Sequence, residues 1–129
     1  MRWFTREQPK DIWDEPIEGT LGDIEAAERI RVICRSATAS AEIVSGVAGK
    51  KSLEKQRARE SERYERAART AMEIAMKISD GLMRDDAVRR IVDLCMKAND
   101  TKTAQILFRA VQAAWVRETL QKDYPALVQ

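Results

Sequence analysis

Residues 20–49 read TLGDIEAAERIRVICRSATASAEIVSGVAG, and this stretch decides the fold class. From Ala27 an apolar seam runs through Ile30, Cys34, Ala37, Ala41, Val44 and Ala48, at the three- and four-residue spacing of a helix face rather than the alternation of a strand. Most of these side chains are small, which lets a neighbouring helix approach closely. Thr20 and Asp23 have the spacing of a capping box, so a first helix is predicted over about 20–48. Gly46 and Gly49, just before Lys50, Lys51 and Ser52, supply the backbone freedom that ends one helix and turns into the next, giving an antiparallel hairpin.

Outward from that hairpin the same periodicity continues. A second helix over about 51–79 is dominated by charge up to Arg69, held by the i,i+4 pairs Glu62–Arg66 and Glu65–Arg69, and turns apolar at Ala67, Ala68, Ala71, Met72, Ile74, Ala75 and Ile78. Ser79, Asp80 and Gly81 make the next break. A third helix over about 82–98 turns Leu82, Val88, Ile91, Val92 and Cys95 inward. Asn99 and Asp100 then offer N-cap oxygens to a fourth over about 100–123, apolar almost all round and closed by Pro125. The predicted fold is therefore all-α: a four-helix up-and-down bundle forming one domain over 20–129. Because helix 2 outruns the apolar surface of its neighbours and helix 4 has a surplus, a swapped or symmetric dimer is the alternative assembly. Residues 1–19 form an irregular arm, interrupted by Pro9 and Pro16, with Trp3, Phe4 and Trp13 as aromatic anchors.

Composition agrees with long, surface-charged helices: 44% hydrophobic, 34% charged and only 5% aromatic residues in a chain of 129. The net charge of +2 creates no global field toward nucleic acid or anionic membrane, so charge placement matters more than its sum. No stretch approaches the roughly 18 to 20 apolar residues of a membrane span and Met1–Glu7 has no apolar leader core, so the expectation is a cytoplasmic protein. Cys34 and Cys95 form neither a redox pair nor a metal ligand set, and both read as buried thiols, with an intramolecular disulfide as the alternative.

The absence of histidine removes the commonest general base and the imidazole metal ligand, and no metal or cofactor is expected. Carboxylate or lysine catalysis is the remaining enzymatic route, but the acids fall mainly at helix starts and on polar faces. The loop Gly46–Ser52 fails as a nucleotide phosphate loop: Val44 stands where the first glycine belongs, and Lys51 separates Gly49-Lys50 from Ser52. Its Gly46-Val47-Ala48-Gly49 run resembles the GxxG loop of KH domains, a fold that requires a sheet for which no strand is legible here. A helix-breaking turn is the simpler reading.

Two surfaces stand out as binding candidates. Lys50, Lys51, Lys55, Arg57, Arg59, Arg63, Arg66 and Arg69, against four interleaved glutamates, form a basic stretch that could line phosphates or face a protein. Trp3, Phe4 and Trp13 either fold back over the end of the bundle or dock into another protein, Trp being enriched at binding hot spots.

Over residues 71–107, the spacing of Ala71, Ile74, Ala75, Ile78, Asp80, Arg84, Ala87, Ile91, Asp100, Ala104 and Leu107 resembles a helix-turn-helix unit of the tetratricopeptide type. That resemblance implies a helical scaffold for protein binding. The leading functional expectation is accordingly a non-catalytic protein-protein interaction module, an adaptor, chaperone-like or regulatory bundle with a protein partner or a second copy of itself. A small nucleic-acid-binding protein using residues 50–69 is the alternative.

Overall fold

A computed structural model describes residues 11–46 and 54–128 of the chain. Five α-helices follow a single 3-10 turn at Ile12–Asp14: α1 (Asp23–Ser45), α2 (Glu54–Ala75), α3 (Gly81–Lys97), α4 (Thr101–Ala110) and α5 (Ala114–Asp123), with a last 3-10 turn at Pro125–Val128. Among the described residues there is no strand. Among those residues, too, no helix is long and apolar enough to cross a membrane.

Helix α1 starts later than its predicted cap. Gly22 occupies the N-cap, its backbone N–H donating to Glu25 Oε1 at 3.0 Å, and Asp23 is the first helical residue. The Asp23 carboxylate reaches across the fold instead, accepting from the backbone N–H groups of Ser79 and Asp80 at 2.9 Å each. It thereby clamps the start of α1 to the α2–α3 connection. At the other end Gly46 terminates α1 in the left-handed region at φ 84°, as predicted for that residue, and an added Cβ would lie 3.0 Å from the Arg57 guanidinium. Those two contacts set α1 and α2 antiparallel. Gly49 and the rest of the predicted loop lie outside the described residues.

The buried side of α1 is Ala26, Ile30, Ile33, Ala37, Ser40 and Ala41, which differs from the seven-residue seam read in the sequence. Ala27 and Cys34 are only half-buried, because a straight helix drifts away from a strict heptad row by about 20° per repeat. Helix α2 answers with Tyr64, Ala67, Ala71, Ile74 and Ala75, and α3 with Ala87, Val88, Ile91, Val92, Leu94 and Cys95. Alanines on the α1 and α2 faces give the small-residue contact the sequence implied.

The α3–α4 corner is built by two adjacent residues. Asn99, at φ 63°, ends α3 by donating its N–H to Met96 O, while the Asp100 N–H returns to Cys95 O at 2.8 Å. Asp100 then caps α4 through Oδ1, which accepts from the Thr103 N–H, and its Oδ2 accepts from the Tyr64 hydroxyl at 2.7 Å, tying α2 to the corner. Asp80 caps α3 in the same way, accepting from the Met83 N–H at 2.9 Å.

The predicted fourth helix is in fact two. Val111, Gln112 and Ala113 leave helical geometry although none of them is a helix breaker. The cause is tertiary. Asp85, on α3 and 3% exposed, directs Oδ2 at the N–H groups of Gln112 and Ala113, 2.9 and 2.8 Å away. Arg117 satisfies the other side of the break, donating to Phe108 O and Val111 O at 3.3 and 3.0 Å while its guanidinium stacks 4.4 Å from the Phe108 ring centroid. A carboxylate at the start of α5 and a cation at the end of α4 are each the sign that helix-end dipoles favour. The split also explains the all-round apolar pattern: Leu107, Phe108 and Val111 are buried before the break, Val116 and Leu120 after it, while Ile106 and Trp115 remain outside.

The C-terminal turn is packed down rather than trailing. Leu127 is buried, Gln105 Nε2 donates to Ala126 O at 2.9 Å, and the Tyr124 hydroxyl donates to Asp93 Oδ1 at 2.8 Å.

Candidate functional site

The residues of the arm and the basic helix predicted as two separate surfaces meet in one place. Trp13 is 4% exposed, seated against α1 and α2 by the 3-10 turn at Ile12–Asp14. It takes the fold-back course, and its ring is not open to a second protein. Asp11, next to it, grips Arg63 of α2 with both oxygens, at 2.6 and 3.1 Å, the two-pronged geometry that guanidinium and carboxylate planes share. The remaining Arg63 nitrogen donates to Glu60 at 2.8 Å and to the Ser40 hydroxyl at 3.3 Å, and that hydroxyl itself donates to Glu60. The guanidinium lies 5.4 Å from the Trp13 ring centroid. Arg66 completes the latch through Asp11 and Asp14 at 3.5 and 3.4 Å, and Arg29 donates to Glu15 O.

Two of the predicted basic-surface residues, Arg63 and Arg66, are thus engaged with the chain's own arm. Lys55, Arg57 and Arg59 are exposed along the same helix. Lys50, Lys51, Trp3 and Phe4 lie outside the described residues.

A second cationic feature escaped the sequence reading. An open groove of about 290 Å³ runs between α1 and α3. The α1 wall is Arg31, Cys34, Arg35 and Thr38. The α3 wall is Arg90, Asp93, Leu94 and Lys97. Both walls repeat at i, i+3, i+4 and i+7, so each is one continuous face of its helix. Arg31 pairs with Glu28 and Arg90 lies 3.7 Å from Asp86. Arg35 and Lys97 have no ion-pair partner among the described residues.

No protein family, no curated protein and no solved structure matches this chain.

The chemistry of the groove follows from its walls. Four cations stand against Asp93, one oxygen of which accepts from Tyr124. Thr38 donates its hydroxyl to Cys34 O within its own helix. Among the described residues no cluster of His, Cys, Asp and Glu could hold a metal ion. Cys34 is the one thiol among the residues lining the groove, and burial pushes it up to about 12 from 9.0, which keeps it protonated near neutral pH. Both cysteines are free thiols, Cys95 buried and Cys34 half-buried, and burial likewise pushes Cys95 up to about 11.

These shifts carry an expected pH dependence. An acid whose folded-state pKa lies above its unfolded value stabilises the fold below the unfolded pKa, and that stability is lost as the pH rises toward the folded one. For Cys34 and Cys95 the loss starts near the unfolded value of 9.0 and proceeds at up to about 1.4 kcal/mol per pH unit for each thiol. Tyr64 and Tyr124, both raised chiefly by burial, act in the same direction above 10.0. Thermal melts followed by circular dichroism should hold a level midpoint from pH 7 to about 8.5 and fall steadily above that. A midpoint still level at pH 10 would show that the thiols are not shielded.

The groove was illegible from sequence because its cations are spread over two helices 55 or more positions apart, whereas residues 50–69 announce themselves as one run. The available signal was periodic: Arg31, Arg35 and Thr38 on one side of α1, Arg90 and Lys97 on one side of α3.

Proposed function

We propose that the chain is a non-catalytic protein-interaction module, a helical scaffold that presents cationic helix faces to a protein partner. The observation that carries this reading is how its sheltered acids are used. Among the described residues every buried or half-buried carboxylate, Asp11, Asp23, Glu60, Asp85, Asp86, Asp93 and Asp100, accepts from a named donor of the fold, as a cap, clamp or latch. Arg35, Lys97, Lys55, Arg57 and Arg59 stand exposed. Sheltered carboxylates committed to structure leave little for general acid-base work, while exposed guanidinium groups suit recognition of carboxylates on another protein. The tetratricopeptide-type spacing supports the same reading.

A nucleic-acid-binding role is the second reading, and the exposed Lys55, Arg57 and Arg59 on α2 favour it. Purification without nuclease, with absorbance at 260 and 280 nm and mass by light scattering at low and high salt, separates the two. A nucleic-acid-free protein that captures a purified partner after nuclease treatment is the expected result. Co-purifying nucleic acid released by salt, and lost when Arg57 and Arg59 are changed to Glu, would replace the proposal with the nucleic-acid reading.

A further inference from the structure

We infer that the α1/α3 groove is the docking site for an acidic peptide segment of the partner, one carrying carboxylates about a helical turn apart; this rests on the interaction-module reading. The walls are two matched rows. Because Asp23 ties the start of α1 to the start of α3, the two helices leave that clamp side by side, and Arg31 to Thr38 runs beside Arg90 to Lys97. Each row is about 10 Å long at 1.5 Å per residue, roughly two turns. Arg31 and Arg35, one turn apart on the α1 row, can meet two carboxylates at i and i+4 of a helical segment, or at comparable separation on an extended one.

Charge and floor both select the occupant. Arg63, Arg66, Arg84 and Arg89 each have a carboxylate of this chain within ion-pair distance, whereas Arg57, Arg59 and Arg69 stand exposed along α2 without one among the described residues. Arg35 and Lys97, on opposite walls, have none among the described residues; Arg31 and Arg90 are held by Glu28 and Asp86, so the positive charge left over in the groove, beside Asp93, is that of Arg35 and Lys97. Between the rows lie Leu94, 1% exposed, and the protonated Cys34 thiol, an apolar floor beneath a cationic rim. An acidic, amphipathic segment matches both: carboxylates to the rim, an apolar side chain to the floor.

Two other anions fit less well. A lone phosphate is usually held by free backbone N–H groups at a helix N-terminus, whereas the α1 wall is mid-helix and the α3 wall is the C-terminal half of its helix, where those groups are already paired. A nucleic-acid strand uses aromatic stacking platforms, and among the described residues no aromatic side chain lines the groove.

The test is fluorescence anisotropy on the full chain, with a labelled amphipathic peptide of about 14 residues bearing Glu at i and i+4. Its Glu→Gln counterpart, a single-stranded oligonucleotide and inorganic phosphate serve as competitors. The double variant Arg35→Glu, Lys97→Glu should weaken peptide binding about tenfold or more, whereas Arg57→Glu with Arg59→Glu should change it by less than about twofold. Binding should fall severalfold between about 50 and 300 mM salt. Both substituted positions are exposed, and an unchanged melting temperature checks that the variant is folded. Absence of peptide binding, equal binding by the Gln peptide, indifference to the Arg35/Lys97 reversal, or displacement by the oligonucleotide or by millimolar phosphate would each overturn the inference. A purified protein partner still captured by the Arg35/Lys97 variant would sink the groove assignment alone and leave the interaction-module reading standing; failure of the unaltered chain to capture any partner would remove that reading itself.

Discussion

Replacing Asp85 with alanine is expected to lower stability by about 3 kcal/mol, one of the two largest single-residue effects that this fold implies. The side chain is 3% exposed, and one oxygen accepts two backbone N–H groups at 2.8 and 2.9 Å, both charge-assisted bonds. Alanine would strand both donors beside a void and remove the negative charge from the start of α5. Arg84, whose Nε lies 3.8 Å from the other carboxylate oxygen, would also lose its partner, a smaller effect because Arg84 is half-exposed. For a chain of 129 residues the loss corresponds to a melting point lower by roughly 10 °C. Asp85→Asn keeps an acceptor but not the charge, and should cost about half as much. Circular dichroism melts of the three proteins decide it: an Asp85→Ala midpoint within about 2 °C of the unaltered chain would mean that the α4–α5 break does not depend on this carboxylate.

Trp13→Ala is expected to destabilise by about 3 kcal/mol, the usual range for truncating a buried aromatic. The ring closes the side of the α1/α2 pair, and Arg63 lies over it while holding Asp11. Its loss would therefore loosen the ion-pair latch as well as the core. Trp13→Phe should be far milder, at about 1 kcal/mol, because Nε1 makes no hydrogen bond among the described residues and only area is lost. Urea unfolding read by circular dichroism distinguishes the series. A Trp13→Ala protein as stable as the original would return the ring to the role of an anchor for another protein.

Much of the architecture was legible because it rests on local rules. Helix periodicity, the left-handed Gly46, the Asp100 cap and the breaks at Ser79–Gly81 and Asn99–Asp100 are decided by residues within four positions of one another, and apart from the α4–α5 division the helix starts and stops fall within a few residues of the predicted ones. The predicted Thr20–Asp23 capping box failed for a non-local reason: the Asp23 carboxylate is drawn to the Ser79 and Asp80 N–H groups, more than fifty residues away. The basic run was legible as charge, but its availability was not, since Asp11 and Asp14 withdraw Arg63 and Arg66 from it.

Local patterning suffices for an all-helical chain, for the positions of three of its interhelical turns, and for the absence of any imidazole to carry acid-base or metal chemistry. Long-range contacts set where a helix with no local breaker divides, which arginines remain exposed, and that cations from α1 and α3 share one groove. The physical reason is range. Propensity, capping and periodicity act over one or two turns of backbone, whereas a buried carboxylate such as Asp85 must find donors wherever the fold presents them, and it breaks a helix to reach them.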